Sequence, residues 1–247
     1  MDEPRAKSGD PTRIRSTYFS SGWRAVNQMK TSPLLSLVLG VVLSSSAHAG
    51  VIRGTLSIPA LAGHSHSRVN PYAGSARALP RGGDSAPMGP VDAVVYVETV
   101  PENAAAPGAH PVPRLSQKDQ SFAPRVVAVE RGGMVDFPNM DPIFHNVFSV
   151  SPTRRFDLGK YPKGHSKEVS FSKEGLVKVY CDIHSDMEGF ILVTPNPFFA
   201  RPDADGRFEL PELPPGRYRL HVWHPDLPEL TREIDLKGAD LDVSLSF

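Results

Sequence analysis

Cys181 is the one cysteine in a chain of 247 residues, and it stands in the stretch Tyr180-Cys181-Asp182-Ile183-His184-Ser185-Asp186-Met187-Glu188-Gly189. A thiol, an imidazole and a thioether therefore follow one another at intervals of three. Together they form a soft, incomplete coordination set. Upstream, Asp141-Pro142-Ile143-Phe144-His145-Asn146-Val147 places His145 at the start of a β-branched and aromatic run, where it could supply the missing nitrogen. A nucleophilic thiol paired with His184 is possible by residue type, but it leaves Met187 without a role.

The elements that must position these donors are strands. In Leu176-Val177-Lys178-Val179-Tyr180-Cys181, strict alternation puts Val177, Val179 and Cys181 on one face and Lys178 and Tyr180 on the other. Cys181 then opens a tight loop, and Gly189 returns the chain to the apolar run Phe190 to Val193. With 25 prolines and 20 glycines there is no convincing amphipathic helical window. The expected fold is all-β, a sandwich of eight short strands at Val51 to Ile58, Ala93 to Glu98, Val126 to Val129, Met134 to Phe137, Phe144 to Val150, Glu168 to Phe171, Leu176 to Cys181 and Phe190 to Thr194. Two stretches rich in Ala, Gly, Ser and Pro, residues 59–90 and 100–124, read as long surface loops. A boundary falls near Thr194-Pro195-Asn196-Pro197, which divides the chain into a first domain, 50–195, and a small β-domain, 196–247. In the second, hairpin strands are expected around Asp205-Gly206 and Pro215-Gly216.

Met29 opens a segment in which Lys30 precedes the apolar run Leu34 to Leu43, and Ala47-His48-Ala49 closes it with a small-x-small pattern. Residues 29–49 read as a secretory signal, too short in its apolar part to span a bilayer. Residues 1–28 are then a misassigned extension, and the mature chain is expected to be exported, periplasmic and soluble, with no membrane insertion. The 27 Lys and Arg balance the 27 Asp and Glu. Nothing in that balance points to nucleic acid or an anionic membrane as partner. In an oxidising compartment structural cysteines normally come in pairs, so a lone one is either a liability or a ligand.

Cysteine and two histidines with a weak axial thioether suit copper cycling between Cu(II) and Cu(I), because the sulfur donors favour the cuprous ion and imidazole accepts both states. Zinc also takes Cys and His, but a structural zinc site does not ordinarily include a thioether. A multicopper oxidase needs a histidine on each side of the cysteine, and here Tyr180 and Asp182 hold those places. A dinuclear copper centre needs a second cysteine, and an attached c-type haem normally needs the C-x-x-C-H motif.

His145-Asn146 followed by Cys181-x-x-His184-x-x-Met187 resembles the type 1 copper signature of the cupredoxins, with an amicyanin- or plastocyanin-like ligand loop, over roughly Val126 to Thr194. The resemblance implies His145, Cys181, His184 and Met187 as copper ligands, with the N–H of Asn146 directed at the Cys181 sulfur. Where amicyanins carry a proline before the second histidine, this chain has Ile183, whose N–H could donate a further hydrogen bond to sulfur. It also implies an electron carrier between redox proteins, not an enzyme, with copper storage or delivery, or a metal-free interaction module, as alternatives. Phe198 to Phe247 resemble a carboxypeptidase regulatory-like domain through Asp203 to Leu220, which implies a β-sandwich used for stability or protein contacts.

The remaining signals are weaker. His64 and His66 sit in a Gly/Ser-rich stretch, His165 in a turn, and His221 and His224 at odd spacing on one strand. Asp203-Ala204-Asp205-Gly206 begins like a calcium loop, but Pro214 stands where the terminal glutamate should fall, so it reads as a turn. Phe144, Phe148, Phe156 and Tyr161 are expected in the core and lining the site.

Overall fold

The computed structural model describes residues 48–58, 89–102 and 104–247. The signal segment apart from its last two residues, the extension before it, the 59–90 loop apart from its last two residues, and His64 and His66 lie outside the described residues. Those described form sixteen strands: β1 (Ile52–Ser57), β2 (Val94–Val97), β3 (Ser116–Lys118), β4 (Ser121–Ala123), β5 (Val126–Glu130), β6 (Met134–Asp136), β7 (His145–Val150), β8 (Arg155–Tyr161), β9 (Glu168–Ser170), β10 (Gly175–Tyr180), β11 (Glu188–Thr194), β12 (Phe199–Ala200), β13 (Arg207–Glu209), β14 (Gly216–His224), β15 (Leu227–Leu236) and β16 (Leu241–Ser246). The fold is all-β, apart from one turn of 3-10 helix at Pro90–Asp92. Among the described residues no helix is long and apolar enough to cross a membrane.

A five-stranded sheet of order β5-β11-β10-β7-β8 carries the candidate ligands. Its inner face, with Val127, Val129, Val147, Val177, Val179 and Ile191, packs on Val135, Phe137, Val169 and Phe171 from the β6–β9 pair and its flanks. β5 and β11 are paired in parallel and are buried on both faces, which is why Val126 to Val129 and Phe190 to Val193 read as continuous apolar runs. Their outer residues Val126, Ala128, Phe190 and Leu192 meet Val94, Phe199 and Trp223 of a second sheet, β12-β2-β14-β15. Arg125 fastens this contact, donating two hydrogen bonds to the Asp226 carboxylate at 2.6 and 3.2 Å while lying over the Phe190 ring.

Here the structure departs from the expected strand membership. β1 and β2 do not join the ligand-bearing sheet. β1 pairs with β13 and, in parallel, with β16, while β2 pairs with β12 and β14. Strand periodicity reports which face is buried but not which partner lies alongside, and β1 and β16 stand far apart in sequence. Gly54 fits β1 against β13 because any Cβ there would fall 2.5 Å from the Phe208 ring.

Further expectations are corrected. The 100–124 stretch, read as a surface loop, contains the β3–β4 hairpin, whose Asp119-Gln120 turn has none of the usual glycine or asparagine signals. Pro215-Gly216 is not a hairpin turn, since β13 and β14 belong to different sheets; the hairpin is β14–β15, turning at Pro225-Asp226. β8 was not anticipated, because it is an edge strand with a mostly exposed, glycine-interrupted sequence. Asp205-Gly206 is a turn but likewise closes no hairpin, since β12 and β13 belong to different sheets; Gly206 takes φ +80° and Asp203 Oδ1 accepts the N–H groups of Asp205 and Arg207.

Candidate metal centre

Alternation along β10 buries Val177, Val179 and Cys181 and leaves Lys178 exposed. The thiol is thus delivered, 3% exposed, to the end of the inner face. The loop after it closes with a hydrogen bond from the Met187 N–H to the His184 carbonyl at 3.0 Å, and Met187 returns to the same interior, 1% exposed. Gly189 then passes 3.1 Å, measured from where a Cβ would sit, from both Phe122 and Val179, so a side chain there would crowd the hairpin that covers the loop.

His145 comes from the first residue of β7 and is fully buried. Its Nδ1 lies 3.7 Å from Cys181 Sγ and 3.2 Å from Nδ1 of the half-buried His184. The three donor atoms all fall within 4.8 Å of one another. A first-row ion with metal–nitrogen bonds of about 2.0 Å and a metal–sulfur bond of about 2.3 Å in a trigonal plane requires N···N near 3.5 Å and N···S near 3.7 Å. The two separations made by His145 match these to within a few tenths of an ångström, and His184 and Cys181 lie within 4.8 Å of each other, so the donors are grouped at about the spacing a metal requires. The donor set, one thiol and two imidazoles beside a buried thioether, fits a type 1 copper site.

His145 Nε2, the nitrogen turned away from the donor cluster, is 2.8 Å from Asp141 Oδ2. Burial works to raise the Asp141 carboxyl, but the N–H groups of Gln120 and Asp119 and the His145 imidazole outweigh it and hold the group below the ordinary aspartate value. Sequence reasoning missed Asp141. The signal available was its place four residues before His145, which has meaning only once the intervening loop is seen to turn back. That turn is made by buried Asn139, whose amide donates to the carbonyls of Ile143 and Tyr161 at 2.8 and 2.9 Å and whose Oδ1 accepts the Asp141 N–H.

Asn146 acts through its side chain: Oδ1 accepts the Asp182 N–H at 2.7 Å, tying the start of β7 to the residue after Cys181. The side chain of Ile183 faces outward, 41% exposed. Phe144, expected to line the site, is 57% exposed, because alternation along β7 that turns His145 inward turns its neighbour out. Tyr161 is buried beside the candidate ligands as expected, with its hydroxyl donating to the Phe137 carbonyl, and Phe156 packs on Phe137 and Phe171.

Elsewhere, His221 lies between Glu229 and Glu98, with Nδ1 2.6 Å from Glu229 Oε1 and Nε2 3.6 Å from Glu98 Oε2, while His224 is buried and accepts the Asp226 N–H. They do not form a shared site. His165 follows a turn at Lys163-Gly164.

No family model matches the chain, and no curated protein matches it. Among solved structures it is similar to a copper-containing nitrite reductase from Thermus scotoductus SA-01, at 27% identity and a TM-score of 0.32. That likeness covers 37% of this chain and only 25% of the reductase. It is also similar to a purple cupredoxin from Nitrosopumilus maritimus, at 25% identity over 30% of this chain and 83% of that one, with a TM-score of 0.29. A reduced Cu(I) form of an amicyanin variant aligns at 18% identity over 40% of this chain and 97% of its own, with a TM-score of 0.32.

Proposed function

We propose that this chain is an exported type 1 copper protein that passes single electrons between redox protein partners. The observation that carries the reading is the convergence of His145 Nδ1, Cys181 Sγ and His184 Nδ1 within 4.8 Å of one another, with Met187 buried beside them. When bound, copper supplies the one-electron couple. The chain's part is to hold the donors. Cys181 and His145 are fixed by strands of one sheet, so little geometry has to change on oxidation or reduction.

In this reading the backbone N–H groups of Asn146 and Ile183 donate to the Cys181 sulfur and temper its electron density. His184 is the ligand nearest the surface, and exposed Ile183 beside it and Phe144 beside His145 offer an apolar approach for a partner protein. No group is assigned to turn over a substrate. The carboxypeptidase regulatory-like resemblance of Phe198 to Phe247 belongs to the same proposal, as a β-domain for stability or protein contacts.

The test is to add Cu(II) to the purified protein, record its visible spectrum and follow the couple by cyclic voltammetry. An intense thiolate-to-copper band with a reversible couple and retained metal is expected. Ready loss of Cu(I) to an acceptor protein would instead support storage or delivery, and no binding would leave a metal-free interaction module.

A further inference from the structure

The β3–β4 hairpin turns through Asp119 and Gln120, whose φ values of 52° and 55° lie in the left-handed region, and neither is glycine. Such a pair costs backbone energy that asparagine-glycine would avoid, and strain of this kind persists where the surroundings demand it. What it does here is point two successive N–H groups at one carboxylate: Asp119 N donates to Asp141 Oδ1 at 2.6 Å and Gln120 N to Asp141 Oδ2 at 2.9 Å. Asp141 is buried, and its remaining partner is the Nε2 of His145 at 2.8 Å.

From this geometry we infer that Asp141, clamped by the hairpin turn, is the positioning residue of the centre. It holds the proton of His145 on Nε2 and leaves Nδ1 free as a strongly basic donor. The inference rests on the copper reading for its electrochemical consequence but not for its structural one. Because both oxygens of Asp141 face N–H donors, the carboxylate has no reason to take a proton itself. A negative charge behind His145 stabilises the more highly charged ion at the front, so Asp141 favours Cu(II) over Cu(I).

Two measurements test it. In uniformly nitrogen-15-labelled, metal-free wild-type protein, the His145 resonances should show a protonated Nε2 and an unprotonated Nδ1. The opposite tautomer overturns the assignment, whatever the protein does with copper. In the copper-loaded protein, Asp141→Asn should keep the charge-transfer band, lose roughly 10- to 100-fold in Cu(II) affinity, and change less in Cu(I) affinity. The potential should then rise by about 59 mV for each tenfold loss in the ratio.

Gln120→Gly keeps the N–H and suits the positive φ, so it should leave tautomer and potential unchanged. A shift there would show that the side chain, not the backbone cradle, matters. A merely structural Asp141 would lower thermal stability on replacement without moving the potential. A wild-type protein with no copper band refutes the copper reading alone, since the tautomer measurement still decides the role of Asp141.

Discussion

His145 and His184 face each other Nδ1 to Nδ1 at 3.2 Å, across a sequence separation of 39 residues. Two imidazole lone pairs held that close repel unless a proton or a cation lies between them. The fold therefore brings these two candidate donors together in advance.

Copper should accordingly stabilise the protein. Binding to the folded state alone contributes RT ln(1 + [L]/Kd), about 4 kcal/mol at a thousandfold excess over Kd, which for a chain of this size raises Tm by about 8–16 °C. His145→Ala should abolish most of that increment. Differential scanning calorimetry with and without copper is the check, and identical melting of both forms would show that the site is not preformed.

The Cys181 sulfur should be the source of colour. A hydroxyl at the end of β10 cannot replace the soft, covalent thiolate bond, so Cys181→Ser should lose the intense visible band while the unliganded fold persists. An unchanged spectrum in that variant would remove Cys181 from the ligand set.

Cys181, His184 and Met187 were legible because one strand and one loop carry all three, and the alternation of Val177, Val179 and Cys181 sets the face without reference to any distant residue. β5 and β11 were legible for a related reason: burial on both faces leaves an unbroken apolar run. What was not legible depends on contacts between segments with no local trace. Asp141 gains its meaning from N–H groups 21 and 22 residues away, presented by a turn that lacks the glycine or asparagine of the usual hairpin signal. The partners of β1 follow from register with β16, and Ile52 to Ser57 would alternate in the same way beside any strand.

Buried His224 should make stability fall in mild acid. Burial lowers its pKa below 6.5, against the opposing pull of Asp226 and Asp92 and with a small push from Arg125. The folded state thus binds this proton less readily than the unfolded chain. Stability is complete above pH 6.5 and declines as pH drops below that value toward the folded pKa. In the metal-free protein, His224→Phe should flatten the dependence of Tm on pH between about 7.5 and 5. If the slope matches that of the wild type, His224 is not its source.

Direction of the chain into β11 separates Met187 from Glu188 as the side chain that would hold a metal from the fourth position. Met187 is buried in the core that holds Cys181, whereas Glu188 turns outward, 4.0 Å from Lys178 Nζ. A thioether favours Cu(I) and an amide oxygen favours Cu(II), so the axial atom tunes the potential more than it decides whether metal binds. Met187→Gln should therefore retain copper and colour while lowering the potential by about 59 mV for each tenfold shift in relative affinity. Glu188→Gln removes only a surface charge whose field is screened by solvent, and should move the potential far less. Cyclic voltammetry of both variants at one pH separates the two, and a larger shift for Glu188→Gln than for Met187→Gln would overturn the axial assignment.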